Sequence, residues 1–151
     1  MTTLSNTRRT DMKFAGKDIY KLIPQRKPFV MVDEFEATGD NAGQSALCVR
    51  TDNYFILPDG TMAETGLIEH VAQSCSALAG SHALSGGSSA PPVGIIGEVK
   101  HFSCNRRPRS GERIETTVSF GMSFGNVTMA TGKSYVCGEQ IVEITLKIFM
   151  Q

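Results

Sequence analysis

The most regular pattern of hydrophobic and polar positions is a strict alternation near the C-terminal end. Apolar residues at positions 142, 144, 146 and 148 alternate with polar residues at 143, 145 and 147. A period of two predicts a β-strand with one buried face. Less regular apolar segments precede it, so we predict four strands in this half, at about 93–103, 112–120, 126–136 and 140–150.

A helical period governs the centre of the chain. Apolar residues at positions 67, 71, 75 and 78 share one helical face, and residues 62–84 contain no proline. Thr61 followed by Glu64 has the spacing of a capping box, which predicts that the helix begins there. Much of the segment is Ala, Ser, Cys and Gly, so we expect a helix that packs closely on several faces.

The N-terminal part predicts a hairpin and a tail. Apolar and β-branched residues at 29–35 and 44–50 predict two strands joined by a turn at 39–41. Residues 18–23 predict one helical turn that Pro24 ends. Residues 1–12 are polar and predict a flexible tail, which leaves 13–151 as a single domain.

The order of these elements predicts the fold. Two strands, one long helix and four strands joined by short turns favour an antiparallel sheet wrapped around the helix. This is the hotdog fold, in the α+β class. A ferredoxin-like fold would need a second long helix, for which the sequence has no signal.

Composition limits the possible functions. The chain has 151 residues, a formal net charge of zero and 40% hydrophobic residues, which is typical of one globular domain without a field for nucleic acid. The four cysteines form no Cys-x-x-Cys pair, so we expect reduced, mostly buried thiols and no metal. Without a secretory h-region or about twenty consecutive apolar residues, we expect a cytoplasmic protein with no membrane span.

Three segments carry a family resemblance. Residues 23–33 read Ile-Pro-Gln-Arg-Lys-Pro-Phe-Val-Met-Val-Asp, residues 66–73 read Gly-Leu-Ile-Glu-His-Val-Ala-Gln, and residues 102–112 end in Arg-Arg-Pro-Arg-Ser-Gly-Glu. They resemble the Leu-Pro-His-Arg-x-Pro-Phe-x-x-Val-Asp, Glu-x-x-Ala-Gln and Arg-Pro-x-x-x-Gly-Asp patterns of 3-hydroxyacyl-acyl-carrier-protein dehydratases, the third with looser spacing. The resemblance extends from about residue 18 to the C-terminus.

One departure narrows the resemblance. Dehydratases of the familiar type carry Gly-His-Phe-Pro before the helix, whereas residues 53–60 here read Asn-Tyr-Phe-Ile-Leu-Pro-Asp-Gly, without a histidine. The chain is therefore more similar to a divergent branch, the dehydratase-like proteins linked to aryl-polyene and flexirubin-type pigment synthesis. The resemblance implies an acyl-ACP or acyl-CoA thioester as substrate and no cofactor.

Dehydration of a 3-hydroxyacyl thioester needs a base, an acid and a stabiliser for charge on the thioester oxygen. The resemblance assigns the acid/base role to Glu69, oriented by Gln73 one helical turn later. Backbone amides of Thr65 and Gly66, at the start of the helix, are candidates for binding the thioester oxygen. Gly66 could equally serve close packing.

Three residues could replace the missing histidine. His70 is adjacent to Glu69 but points about 100° away on a helix, so it could serve only if the site is assembled across a dimer. Packing or a hydrogen bond is its other interpretation. Asp59 and Tyr54 lie in the loop that replaces the family motif, where Asp59-Gly60 is also a turn signal. His82 and His101 are interpreted as structural.

Two further features could contact an acyl carrier. Arg106, Arg107, Arg109 and Arg113 could dock an acidic carrier protein, although a solvated hairpin loop explains the same charges. A slot for the acyl chain is expected along the helix from Glu69 past Gln73 and Ser76 to Ala77 and Gly80. Small residues there could equally allow tight packing.

Three functions remain open from the sequence. The first is a (3R)-hydroxyacyl-ACP dehydratase, and the second is an acyl-thioesterase in which Glu64 or Glu69 activates water. The third is a non-catalytic acyl-binding subunit that pairs with an active dehydratase. An exposed edge strand predicts at least a dimer, either of two identical chains or with another hotdog subunit.

Overall fold

A computed structural model describes residues 12–150 of the chain. The predicted tail therefore lies outside the described residues except for Met12. A short 3-10 helix, Gly16–Lys21, follows the first strand, and one long α-helix interrupts the series of strands. The elements are β1 (Lys13–Ala15), β2 (Glu34–Gly39), β3 (Ala42–Cys48), α1 (Glu64–Ser85), β4 (Gly94–Cys104), β5 (Arg113–Phe124), β6 (Val127–Val136) and β7 (Glu139–Met150).

The strands form one antiparallel sheet wrapped around α1. The sheet has seven strands in the order β1-β2-β3-β5-β6-β7-β4, so β1 and β4 are its edges. Leu67, Val71 and Leu78 of α1 are fully buried against inward-facing sheet residues such as Ile114 and Ile144. This arrangement confirms the predicted α+β class and hotdog fold.

The sequence located the long elements well. The helix and the four later strands lie within a few residues of their predicted bounds, and the β2–β3 hairpin forms with its turn at Asp40 and Asn41. The expected helical turn at 18–23 is the 3-10 helix. Strand β1, which pairs with β2 at the edge of the sheet, was not predicted because it has only three residues.

The strand predicted at 29–35 is wrong in its first half. Regular pairing begins only at Glu34. Before it, the backbone groups of Phe29 and Met31 form hydrogen bonds with side chains of α1 and not with a neighbouring strand. Side-chain partners thus replace the β-ladder in this segment, although its composition is typical of a strand.

The predicted capping box is also wrong. The residue that precedes α1 is Ala63, which provides no side-chain cap. The Thr61 hydroxyl instead donates to Asp59 Oδ1 at 2.6 Å and accepts from Arg107 Nε at 3.1 Å. Thr61 therefore stabilises the loop before the helix, and the helix begins two residues later than a Thr61 cap requires.

The cysteines differ from the expectation that most are buried. Cys75 is fully buried, and burial raises the pKa of its thiol to about 12. Cys104 is half-buried, whereas Cys48 and Cys137 are exposed. None of the four forms a disulfide. Within the described part of the chain, no helix is long and apolar enough to cross a membrane.

The expected course of the acyl slot is wrong at its far end. Ala77 is completely buried in the core. A Cβ atom on Gly80 would lie 2.0 Å from the carbonyl oxygen of Leu22, at the end of the 3-10 helix. Gly80 is therefore required for the close approach of two backbones and does not line a chain-sized space.

We expect Gly80→Ala to destabilise the protein by about 2 kcal/mol or more, because the added methyl group would collide with backbone that cannot rotate away. A loss of stability would be informative, because a change from glycine to alanine inside a helix normally raises the free energy of unfolding by about 1 kcal/mol. Urea denaturation measures the difference. Gly86→Ala is the matched control, since a Cβ there makes only ordinary contacts at 3.5 Å. A Gly80→Ala variant as stable as the wild type would contradict the packing interpretation.

Candidate functional site

Gln73 connects the candidate acid to the segment before β2. Its side chain is buried, and its Nε2 donates to Glu69 Oε1 at 2.8 Å and to the Phe29 carbonyl at 2.6 Å. Its Oε1 accepts from the Met31 amide at 2.6 Å. Both Nε2 hydrogens and the acceptor are thus used, so the amide is fixed and one carboxylate oxygen of Glu69 is fixed with it.

His70 lies beside this arrangement but faces the protein interior. The ring is completely buried, with Nδ1 2.6 Å from the Met31 carbonyl and Nε2 2.7 Å from the Thr116 hydroxyl. A carbonyl only accepts, so Nδ1 carries the hydrogen and Nε2 accepts from Thr116. Desolvation lowers the pKa of His70, so the ring is held neutral. Both ring nitrogens are occupied, as the packing interpretation expects.

The polar groups around His70 form a continuous buried chain. The Thr116 hydroxyl contacts Ser134 at 2.7 Å, which extends the chain from α1 through β5 to β6. A second branch begins at Ser74, which donates to the His70 carbonyl, and reaches Ser45 of β3 at 2.6 Å. These bonds fix the rotation of α1 against the sheet, and in that rotation Glu69 lies outside the buried chain, on a half-buried face of the helix.

Glu69 lines an apolar pocket of about 330 Å³ between α1 and the edge of the sheet. The helix contributes Ala72, Cys75 and Ser76, while β4 and the end of β7 contribute the facing wall, including Ile95 and Ile96. The chain-sized space thus follows the half-buried face of α1 through Ala72 and Ser76. It does not follow the buried face through Ala77 and Gly80.

Gln25 is a pocket residue that the sequence analysis missed. It lines the same cavity as Glu69. Its Oε1 atom is buried and has no hydrogen-bond partner, the one such side-chain atom among residues 12–150. Gln25 occupies the histidine position of the family's Leu-Pro-His-Arg pattern, so this substitution was the available signal.

The start of α1 only partly fits the prediction that the Thr65 and Gly66 amides bind the thioester oxygen. The Gly66 amide donates to the Ala63 carbonyl at 2.9 Å, and a Cβ on Gly66 would lie 2.5 Å from Phe55. Gly66 therefore serves close packing, while Thr65 is exposed in the first turn. Neither residue lines the pocket that holds Glu69.

The two loop candidates lie near the surface. The Asp59 carboxylate accepts from the Thr61 amide at 3.0 Å and from Arg107 Nη2 at 3.2 Å. Its hydrogen bonds to Thr61, and then the Arg107 charge, hold its pKa below the usual value. Tyr54 is 61% exposed and packs edge-on against Phe29 and Phe55. Neither residue lines the Glu69 pocket.

The arginine cluster is largely neutralised by carboxylates. Arg106 forms a two-bond pair with Glu112, both at 2.9 Å, and a further bond to Glu139. Arg113 pairs with Glu34, and Arg107 pairs with Asp59. Arg109 contacts the Asp59 carbonyl at 3.4 Å. The first three arginines of the cluster thus fasten the loop between β4 and β5 to its neighbours and Arg113 joins β5 to β2, which favours the structural interpretation over a free docking surface.

The comparison with protein families is decisive. Residues 17–150 match the ApeP-like family, described as ApeP dehydratase. The chain belongs to this family. The match spans the 3-10 helix, α1 and the strands from β2 to β7, and it confirms the predicted resemblance to dehydratases. No curated protein matches the chain.

Solved structures share the fold of this ApeP-like chain. The dehydratase heterocomplex ApeI:P from Xenorhabdus doucetiae superposes with a TM-score of 0.81 at 17% identity, covering 88% of this chain and 90% of that one. A sigma28-regulated virulence protein from Campylobacter jejuni has a TM-score of 0.67 at 10% identity, covering 91% and 94%. A hypothetical thioesterase with coenzyme A from Streptococcus pneumoniae has a TM-score of 0.60 at 10% identity, covering 78% and 85%.

The neutral, buried His70 predicts a loss of stability in mild acid. The unfolded chain takes up a proton near pH 6.5, whereas the lowered pKa of His70 keeps the folded protein unprotonated. The free energy of unfolding should therefore decrease below about pH 6.5, by up to about 1.4 kcal/mol for each pH unit. Denaturation curves between pH 5 and 8 measure it.

The variant His70→Gln separates the contribution of His70 to this pH dependence from that of other groups that titrate in acid. His70→Gln should lower the stability at pH 7 but reduce its dependence on pH in this range. His82→Gln is the control, because His82 is exposed near the end of α1 and should leave the pH dependence unchanged. An identical pH dependence in wild type and His70→Gln would show that His70 is not the responsible group.

Proposed function

We propose that this protein acts on 3-hydroxyacyl thioesters as a dehydratase, with Glu69 as the residue that transfers a proton to the departing hydroxyl group. The observation that carries the proposal is the Glu69 carboxylate, fixed by Gln73 on the wall of an apolar pocket. Membership in a dehydratase family supports the reaction type. An acyl chain suits a concave, mostly apolar space of this kind.

The chemistry requires a defined protonation cycle. Protonated Glu69 gives its proton to the C3 hydroxyl, the C3–O bond breaks, and water leaves. A base removes the C2 proton, and the electrons of that C–H bond form the double bond. Because Gln73 Nε2 donates to Glu69 Oε1, the other oxygen of the carboxyl is the one available to carry and deliver the proton.

One chain supplies only part of this machinery. Of the side chains that line the pocket, Glu69 and Cys75 are ionisable. With a pKa of about 12, the Cys75 thiol stays protonated at neutral pH and is a poor base. The proposal therefore assigns the second proton-transfer group to a partner subunit. Binding of the thioester oxygen by the Thr65 amide stays a prediction, because Thr65 does not line this pocket.

The edge of the sheet indicates where a partner would lie. Strand β4 has eleven residues, borders the pocket and pairs only with β7 among the described strands. Ile95 and Val99 on this strand are 50% and 38% exposed. A long exposed edge with apolar side chains favours pairing with another strand. The heterocomplex of the dehydratase with the same fold supports a second hotdog subunit as the partner.

A second function is favoured by the same shortage of ionisable groups in the pocket. The chain would then be a non-catalytic acyl-binding subunit that completes an active partner. Purified protein incubated with a 3-hydroxyacyl-CoA and with a saturated acyl-CoA separates the possibilities. Enoyl product supports the dehydratase, and free thiol would indicate the thioesterase. Binding without turnover supports either the acyl-binding subunit or a dehydratase whose second proton-transfer group lies on a different chain. The expected cytoplasmic location stays a prediction.

We expect the isolated protein to have at least twice the mass of the chain in light scattering at micromolar concentration. The physical reason is that pairing through β4 would satisfy its outer backbone groups and cover Ile95 and Val99. The double variant Ile95→Lys and Val99→Lys should shift the protein toward monomer, because charged side chains on an edge oppose pairing. Lysine at exposed Thr38 of β2 is the control. A wild-type monomer would count against pairing of identical chains.

We expect Glu69→Gln to lower the dehydratase rate by about 10²–10⁴-fold while the fold is retained. The substitution keeps the shape and the contact with Gln73 but removes proton transfer. The rate of enoyl formation and the circular dichroism spectrum measure the two parts. Glu143→Gln, at an exposed position of β7, is the matched control and should leave the rate unchanged. A Glu69→Gln rate within a factor of a few of the wild type would exclude Glu69 as the proton donor.

A further inference from the structure

An unusual residue of the pocket lining is a glutamine whose buried amide oxygen has no hydrogen-bond partner among residues 12–150. Gln25 lies just after the 3-10 helix and lines the pocket together with Glu69. Its Oε1 atom is buried without a partner. The second glutamine of this region, Gln73, has its amide fully bonded, so the two residues are not equivalent.

An unsatisfied buried acceptor is costly for a folded protein. Burial of an amide without a hydrogen bond destabilises a protein, whereas an apolar side chain of the same shape does not. Gln25 is thus poorly explained by packing alone. A hydrogen-bond donor from a bound molecule would satisfy it, and the pocket is where such a donor would enter.

From this geometry we propose that Gln25 is a substrate-binding residue, whose side-chain carbonyl accepts the hydrogen of the substrate's 3-hydroxyl group. The inference rests on the proposed function, because it takes a 3-hydroxyacyl thioester as the ligand. The hydroxyl group has two needs in this pocket. Its oxygen must receive a proton from Glu69, and its own hydrogen must point to an acceptor that does not compete for that proton.

A neutral amide carbonyl meets the second need better than a carboxylate. It orients the O–H bond without becoming protonated, so the lone pairs of the hydroxyl oxygen remain directed toward Glu69. When the C3–O bond breaks, the departing water contains the original hydroxyl hydrogen and the proton from Glu69. Gln25 thereby gives the pocket a preference for 3-hydroxyacyl over saturated acyl thioesters.

The test compares the affinities of two ligands that differ only in this hydroxyl group. A 3-hydroxyacyl-CoA and the saturated acyl-CoA of equal chain length are titrated by calorimetry into Glu69→Gln protein, which does not consume the first ligand. Adding Gln25→Met removes the amide but keeps the length of the side chain. We expect the affinity for the 3-hydroxyacyl-CoA to fall about 3- to 10-fold, while the affinity for the saturated ligand is unchanged.

A matched variant and a measurement without ligand complete the test. Gln44→Met, at an exposed position of β3, should change neither affinity. The melting temperature of Gln25→Met without ligand should equal or exceed that of the parent, because the Gln25 side chain forms no hydrogen bond with any of residues 12–150 through the buried oxygen. A lower melting temperature would show that the amide stabilises the fold, and would overturn the inference.

The remaining outcomes are also decisive. Equal weakening of both ligands would assign Gln25 to the part they share, the thioester or the pantetheine arm, and would overturn the role at the hydroxyl group. Unchanged affinity for both would overturn any contact with the ligand. If the Glu69→Gln parent and the wild type bind neither thioester, the proposed function fails as well, which is distinguishable because the failure precedes the Gln25 comparison.

Discussion

The structure depends on a set of hydrogen bonds that α1 makes to the backbone of the segment before β2. Gln73 contacts the Phe29 carbonyl and the Met31 amide, and His70 contacts the Met31 carbonyl. These contacts join positions about forty residues apart in the chain. Because both helix residues are buried, each lost contact would leave an unsatisfied polar group in the core, so the helix cannot rotate or slide without a large penalty.

The chemistry of the pocket follows from this constraint. A central helix normally needs an apolar surface, yet α1 has Ser, His and Gln among its buried residues. Ser74, His70 and Gln73 have partners on the sheet or on the segment before β2, which fixes one helical rotation, whereas buried Ser81 donates to the Leu78 carbonyl within α1. In that rotation Glu69 faces the pocket and His70 faces the interior. The Gln73 amide that binds the segment before β2 also binds the Glu69 carboxylate. One side chain therefore both stabilises the fold and orients Glu69.

The sequence predicted the long elements and the main candidate because both produce local patterns. The alternation of β7 and the helical period of α1 are visible in single segments, and Glu69 lies within a motif that resembles the family. Long-range contacts were not predictable in this way. Phe29 and Met31 have the composition of a strand, and only the position of Gln73 and His70 in space explains why pairing begins later, at Glu34.

Small and polar residues were the hardest to interpret. In the sequence, Gly80 fits both the wall of an acyl slot and a close contact between α1 and the 3-10 helix. The close approach of the Leu22 carbonyl oxygen to the Gly80 backbone shows that the close contact is its role. Arg106, Arg107 and Arg113 fit a docking surface until their carboxylate partners are known. Gln25 lies in a motif where its neighbours Pro24 and Arg26 match the family. The residue that differs from the pattern was therefore easily passed over, although it lines the pocket.

The loop at residues 53–60 lacks the histidine of the Gly-His-Phe-Pro motif, and the structure shows how the fold tolerates this difference. Phe55 and Ile56 of that loop pack against the core, and Asp59, Thr61 and Arg107 stabilise the loop through hydrogen bonds that need no histidine. The loop can therefore lose a reacting group without loss of structure. The pocket, in contrast, is bordered by the exposed edge strand β4, where a neighbouring subunit would be within reach. Under the proposed function, this chain would retain the binding wall and one proton-transfer group while a partner provides the other.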